Sequence, residues 1–210
     1  MTQIIEELNR RQLRVARPDS FDISRPDTEL RRLTDNGSLL QLSKGFYALI
    51  PESRRGADTA WIPTIEGAAL GMAAALYGPD EVALIGPSAA RAHRCYPRAL
   101  GTAYVTAPAR LRPRESAVGS IRFVTREFAK MDTVRVETDL GPGWATSPEQ
   151  TALDLCRNRP DWKISEAART EMIQMLADRI DWELINEIAV QTRGLKTLRR
   201  LRSKLDGRAP

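Results

Sequence analysis

Ser24-Arg25-Pro26-Asp27-Thr28-Glu29-Leu30-Arg31-Arg32-Leu33-Thr34-Asp35-Asn36-Gly37-Ser38-Leu39-Leu40-Gln41-Leu42-Ser43-Lys44-Gly45-Phe46-Tyr47-Ala48-Leu49 is the stretch that decides how the N-terminal part folds. Ser24 reads as an N-cap, with Pro26 in the first turn and Asp27 behind it, so a helix starts here. Leu30 and Leu33 recur on one side of that helix, while Thr28, Arg31, Arg32 and Asp35 fall mostly on the other. Asn36-Gly37 ends it in a left-handed cap. Residues 39–49 then read as two short strands joined by a tight turn at Ser43-Lys44-Gly45.

Working outward, residues 3–14 show Ile4, Ile5, Leu8 and, near the end, Leu13 and Val15 at roughly helical spacing, with acids leading and arginines trailing. Arg17-Pro18-Asp19 ends that predicted helix. Ser20 to Ser24 is a connector, with a strand expected through Phe21 and Ile23. Helix, connector, capped helix and hairpin is the order of a winged helix-turn-helix, in which one helix enters the major groove and the hairpin lies on the backbone. The candidate DNA contacts are Arg10, Arg11 and Arg14 at the end of the first helix, Arg25, Thr28, Arg31 and Arg32 on the second, and Lys44 at the hairpin tip. The plainer alternative is a small α+β module with solvated arginines. Residues 1–56 hold 10 basic and 8 acidic side chains, a net of only +2, and little room remains between Val15 and Ser24 for another helix.

The whole chain has 210 residues, 42% hydrophobic and 28% charged, enough for a large domain or two small ones around a real core. Its longest mostly apolar stretch, residues 67–77, is about half the ~20 residues that a membrane-crossing helix needs, so no membrane partner is expected. The first residues lack the basic start and apolar run of a secretory leader, which predicts a cytoplasmic protein. Two cysteines, Cys95 and Cys156, and a single histidine, His93, fit neither a zinc motif nor a disulfide framework. Free thiols and no cofactor are the expectation. The net charge is +5, from 32 basic residues of which 5 are lysine. Arginine grips phosphate bidentately, but an arginine-rich codon preference explains most of such a ratio.

Pro51 to Asp58 reads as a linker, which sets a winged-helix domain at 1–56 and a mixed α/β domain at 57–210. In the second domain the pattern predicts an alanine-rich helix over 64–77, a buried strand at 82–85 and a short helix from Gly86-Pro87-Ser88 to His93. Strands are expected near 103–106, 121–125 and 134–137. Ser147-Pro148-Glu149-Gln150 is a capping box with proline in the first turn, opening a helix to about Arg157. Three more helices, about 165–178, 181–191 and 194–205, close an α+β chain whose C-terminal helices span about 148–206.

Other constellations have a structural and a functional reading. Gly86-Pro87-Ser88 at a helix start can bind an anion or simply turn the chain. His93 and Cys95 could share a metal with Asp80 or Glu81, or His93 could pack at a helix end. Asp161-Trp162-Lys163, with Asp154 or Asp139 upstream, has the spacing of a metal-dependent nuclease but no strand to align it. No nucleotide-binding or hydrolase motif is present, and no catalytic residue is assigned. In the last helix Arg193, Lys196, Arg199, Arg200, Arg202 and Lys204 interleave with Leu195, Leu198, Leu201 and Leu205. One face should bury, and the other is either a solvated helix end or a contact for DNA backbone or a partner protein.

Residues 29–49 resemble the winged-helix segment "LxxLxxxGxLxxLxxGxYxL" of AbiEi-type antitoxins of type IV toxin–antitoxin systems. Leu84-Ile85-Gly86-Pro87-Ser88-Ala89-Ala90-Arg91-Ala92-His93 resembles that family's "GxSAAxxHG" stretch, and residues 144–155 its "xATPExTLLDL" stretch. The three occur in the family's order, and the arginine-rich composition is similar to its shorter, mycobacterial MenA-type members. The resemblance implies an N-terminal domain that binds operator DNA and represses its own operon, with Arg31, Arg32 and Lys44 on the recognition helix and wing. It also implies a second domain that opposes a nucleotidyltransferase-like toxin. The alternative expectation is a winged-helix regulator with a ligand-sensing second domain, for which an apolar pocket around 82–93 would speak.

Overall fold

The computed structural model describes residues 3–56, 60–157 and 161–206. The fold is mixed α+β. Helix α1 (Gln3–Arg10) leads to strand β1 (Val15–Ala16), a 3-10 turn (Pro18–Ser20), helix α2 (Pro26–Asp35) and strands β2 (Leu39–Ser43) and β3 (Phe46–Leu49). The three strands form one antiparallel sheet in the order β1-β3-β2. Lys44 and Gly45 make the turn, Gly45 at φ 79°, where glycine is at no disadvantage. Gly37, at φ 72°, closes α2 as the sequence predicts, with the Ser38 amide donating to the Leu33 carbonyl.

Three local expectations are corrected here. The first helix stops at Arg10, not at residue 14, because Leu13 and Val15 follow a strand period: Val15 pairs with Ala48 and Ala16 with Tyr47. Arg14 therefore leads into β1 and does not lie on α1. No strand runs through Phe21 and Ile23; Phe21 is instead a buried plug under α1 and α2. Ser24 is not the N-cap of α2. That position is Arg25, without a side-chain cap, because proline occupies the first helical residue and fixes the start one position later.

The alternation of the small sheet divides the burial. Ala16, Leu39 and Leu49 face α1 and α2, where they join Ile4, Ile5, Leu8, Leu30 and Leu33. Val15, Leu42 and Ala48 face the other way, into a second core built on helix α3 (Ile65–Tyr77). The predicted linker and domain boundary fall partly at 57–59, outside the described residues, yet the core crosses from one side of that stretch to the other. Thr64 caps α3 through the Gly67 amide, and is itself held by Asp139 at 2.6 and 2.8 Å.

Beyond α3 come helix α4 (Pro87–Ala92) and strands β4 (Thr102–Ala107), β5 (Arg114–Ser116), β6 (Gly119–Thr125), β7 (Thr133–Thr138) and β8 (Gly141–Thr146). β4 is parallel to β6, β5 is antiparallel to it, and β7 pairs with β8. The stretch predicted as a strand at 82–85 bridges at Leu84 alone. There it stitches the two sheets together, to Val105 on one side and Ala145 on the other. Helices α5 (Pro148–Cys156), α6 (Glu166–Ala177), α7 (Trp182–Gln191) and α8 (Leu195–Asp206) pack around their own apolar core. Ser147 caps α5 through the Gln150 amide at 3.1 Å, as the capping box predicts.

Candidate nucleic-acid interface

The exposed face of α2 presents Thr28, Arg31, Arg32 and Asp35, and Arg25 stands exposed at its start. Leu30 and Leu33 are fully buried beneath, so the helix is fixed in rotation. Arg32 is held by Glu29 in a two-pronged pair, Nε to Oε2 at 2.9 Å and Nη2 to Oε1 at 2.7 Å. That guanidinium keeps the Glu29 carboxyl below the ordinary glutamate value. Arg31 has no ion-pair partner among the described residues and is the open cation of this helix.

The other N-terminal arginines separate. Arg10 is exposed at the end of α1. Arg11 turns inward, paired with Glu7, hydrogen-bonded to Ser20 and placed over the Phe21 ring at 5.1 Å. It ties α1 to the 3-10 turn and is partly buried, so its guanidinium is already engaged within the chain. Arg14 sits at the joint with the rest of the chain, its amide donating to the Leu140 carbonyl at 3.0 Å.

Lys44 is exposed at the hairpin tip. It is joined there by two arginines that the sequence pattern does not single out, Arg17 and Arg114. Their guanidinium carbons lie 5.9 and 5.2 Å from the centre of the Phe46 ring. Arg17 reads in sequence only as a helix stop before Pro18, and Arg114 as part of a proline-rich turn. Tertiary docking alone brings them together. The hairpin is anchored along its outer edge, where the Ala117 amide donates to the Leu42 carbonyl at 2.7 Å and Ser43 Oγ to the Glu115 carbonyl at 2.8 Å.

In α8 the basic run divides. Lys196 and Arg199 are exposed, as is Arg193, which takes a left-handed backbone at φ 52°. Lys204 pairs with Glu166, and Arg200 donates to the Cys156 carbonyl at the end of α5 at 3.3 Å. Arg202 lies over Trp182 at 5.4 Å. Leu198 and Leu201 are buried as expected, but Leu195 is 45% exposed because it begins the helix at the edge of the core.

The remaining candidates have structural work. Ser88 Oγ accepts from the Tyr104 amide at 2.9 Å and is fully buried with Pro87, so the Gly86-Pro87-Ser88 turn is packed core and not an anion site. His93 Nε2 lies 2.7 Å from the Thr146 carbonyl. Burial pushes this imidazole below the ordinary histidine value, a shift that the carbonyl opposes. Asp80 accepts from Trp144 Nε1 at 2.8 Å, and no three metal-ligating side chains gather among the described residues. Asp161 pairs with Lys163 at 2.5 Å, Asp154 with Arg126, and Asp139 holds Thr64, so the carboxylates of the nuclease reading each serve a separate contact. Cys95 and Cys156 are free and buried, and burial pushes the Cys156 thiol up to about 11. No described helix is long and apolar enough to cross a membrane.

No family model matches this chain, and no curated protein does. Among solved structures it is similar to the RV2827C protein from Mycobacterium tuberculosis, with a TM-score of 0.57 and 18% identity over 99% of this chain and 80% of that one. The likeness is one of fold.

Proposed function

We propose that this protein is an antitoxin that neutralises a nucleotidyltransferase-like toxin and represses its own operon by binding DNA. The observation behind the reading is the N-terminal arrangement: α1, β1, a helical turn, α2, β2 and β3, with the sheet ordered β1-β3-β2. That is the element order of a winged helix, with the second of its usual three helices reduced to Pro18–Ser20. α2 would read the groove through Arg31, and the hairpin would set Lys44 on a phosphate.

The three segments that resemble the AbiEi family support the same reading. The first runs from α2 to β3. The other two lie against each other: Leu84 bridges Ala145, and His93 meets Thr146. The remainder of the chain would be the toxin-facing body. Four of the large apolar side chains left exposed, Met175, Trp182, Val190 and Leu195, belong to α6, α7 and α8. Lys196 follows Leu195 directly and Arg199 lies about one helical turn further on, and such apolar–cationic surface is the kind that protein partners cover. The ligand-sensing alternative finds less support: a cleft of about 230 Å³ does lie beside Leu84 and Ala92, but its lining is mostly charged, with Glu66, Arg91, Arg94, Glu137 and Asp139, and Arg91 is already paired with Glu66.

The test is co-expression. The nucleotidyltransferase-like reading frame expected beside this gene should arrest growth when expressed alone, and this chain should restore growth. A neighbour of another class, or arrest that persists at equal expression, contradicts the proposal.

A further inference from the structure

The hairpin tip and strand β5 enclose a cleft of about 280 Å³. Arg17, Lys44 and Arg114 line it, with Phe46 between them. Arg17 and Arg114 both approach the Phe46 ring, which orients two like charges toward one space. A carboxylate is present: Asp19 pairs with Arg17 at 2.8 Å, leaving a local net charge of +2. Lys44 and Arg114 have no ion-pair partner among the described residues.

The chain that leads into Arg114 carries further basic residues. Between β4 and β5 the chain reads Pro108-Ala109-Arg110-Leu111-Arg112-Pro113-Arg114, with no acid among these residues. Arg110 and Arg112 are exposed, and neither has an ion-pair partner among the described residues. Two prolines stiffen this arm. It is not a separate flap, because the backbone and side-chain hydrogen bonds from 115–117 to Leu42 and Ser43 fix β5 to the hairpin.

We propose that this cleft holds a phosphate of the DNA backbone, and that the arm from Arg110 to Arg114 extends the DNA contact beyond the winged helix into the body of the protein. The inference rests on the DNA-binding reading and assigns part of its surface. Three cations lining one cleft, two of them against the Phe46 ring and one of these shared with Asp19, suit a single phosphate group, and a proline-flanked row of arginines suits successive phosphates. The wing and the adjoining arm then grip the duplex together, because β5 is hydrogen-bonded to the hairpin.

The experiment measures binding of the full chain to a random-sequence duplex as salt rises from about 50 to about 200 mM. Removing one phosphate-binding cation lowers the log–log slope by about 0.9. Arg110→Ala/Arg112→Ala and, separately, Arg114→Ala should each lower the slope, by about one to two and about one respectively. Arg114→Lys should retain it, which separates charge from packing, and melting temperatures confirm that each variant is folded. If the parent binds and Lys44→Ala weakens it while the arm variants keep the parental slope, this inference is overturned and the winged-helix reading survives. If the parent binds no duplex at all, both fall.

Discussion

Arg126 and Asp154 meet in a two-pronged ion pair, Nη1 to Oδ2 at 2.9 Å and Nη2 to Oδ1 at 3.0 Å, that joins the end of β6 to α5. The Asp154 side chain is 1% exposed, and Gln150 Nε2 donates to it as well at 3.2 Å. Asp154→Ala leaves the Arg126 guanidinium, largely buried, without its partner. The expected loss is about 3–5 kcal/mol in a urea titration. A loss below about 1 kcal/mol would mean that the pair behaves as a surface contact.

Gly86 has φ 56°, and a Cβ there would lie 2.7 Å from the Trp162 ring, which is itself buried. Gly37, at φ 72°, has open space around it. Gly37→Ala therefore bears backbone strain alone, about 1 kcal/mol, while Gly86→Ala adds a clash and should lose about 2–4 kcal/mol. Equal melting temperatures for the two variants would remove the steric account of Gly86.

His93 gives a pH dependence with a definite sign. Its folded-state value lies below the ordinary 6.5, chiefly through burial, so the unfolded chain takes up the proton first. The associated stability is complete above the ordinary histidine value and is lost as pH falls below it toward the folded-state value. Glu66, raised by burial, acts with the opposite sign, contributing stability at low pH that fades as pH rises past the ordinary glutamate value. His93→Gln isolates the histidine part. Between about pH 7 and about pH 5, the parent should lose more melting temperature than the variant; identical losses would show that His93 is not involved.

Glu29 occupies Arg32 in the free protein. Glu29→Gln releases that guanidinium for phosphate and should raise the salt slope of duplex binding by about 0.9. An unchanged slope would place Arg32 away from the DNA.

Much of this fold is legible in the sequence because its signals are local. Ser147-Pro148 and Asn36-Gly37 mark helix ends through local backbone chemistry, and the last helix follows from the regular spacing of Leu195, Leu198, Leu201 and Leu205. The pattern misleads where two periods overlap. Leu13 and Val15 sit at helical spacing from Leu8 but fold with the period of a strand, because β3 offers Val15 a partner in Ala48. Strands β5 and β8 leave no clear pattern: the first is only three residues long, and the second contains Gly141, Pro142 and Gly143. Of the candidate site, Arg31 and Lys44 stand open as expected. Arg11, Arg200 and Lys204 are taken up by internal partners. Arg17 and Arg114 carry no sequence signal, because only the docking of β5 on the hairpin places them beside Phe46.

The most direct test of the proposed DNA binding is a titration of the full chain against a duplex from its own upstream region and against a random duplex, at one salt concentration. The expected result is tighter binding to the upstream duplex, weakened about 5- to 150-fold by Arg31→Ala (about 1–3 kcal/mol) and lowered alike on both duplexes by Lys44→Ala. Equal affinity for the two duplexes, or an Arg31→Ala variant that binds like the parent, would contradict it.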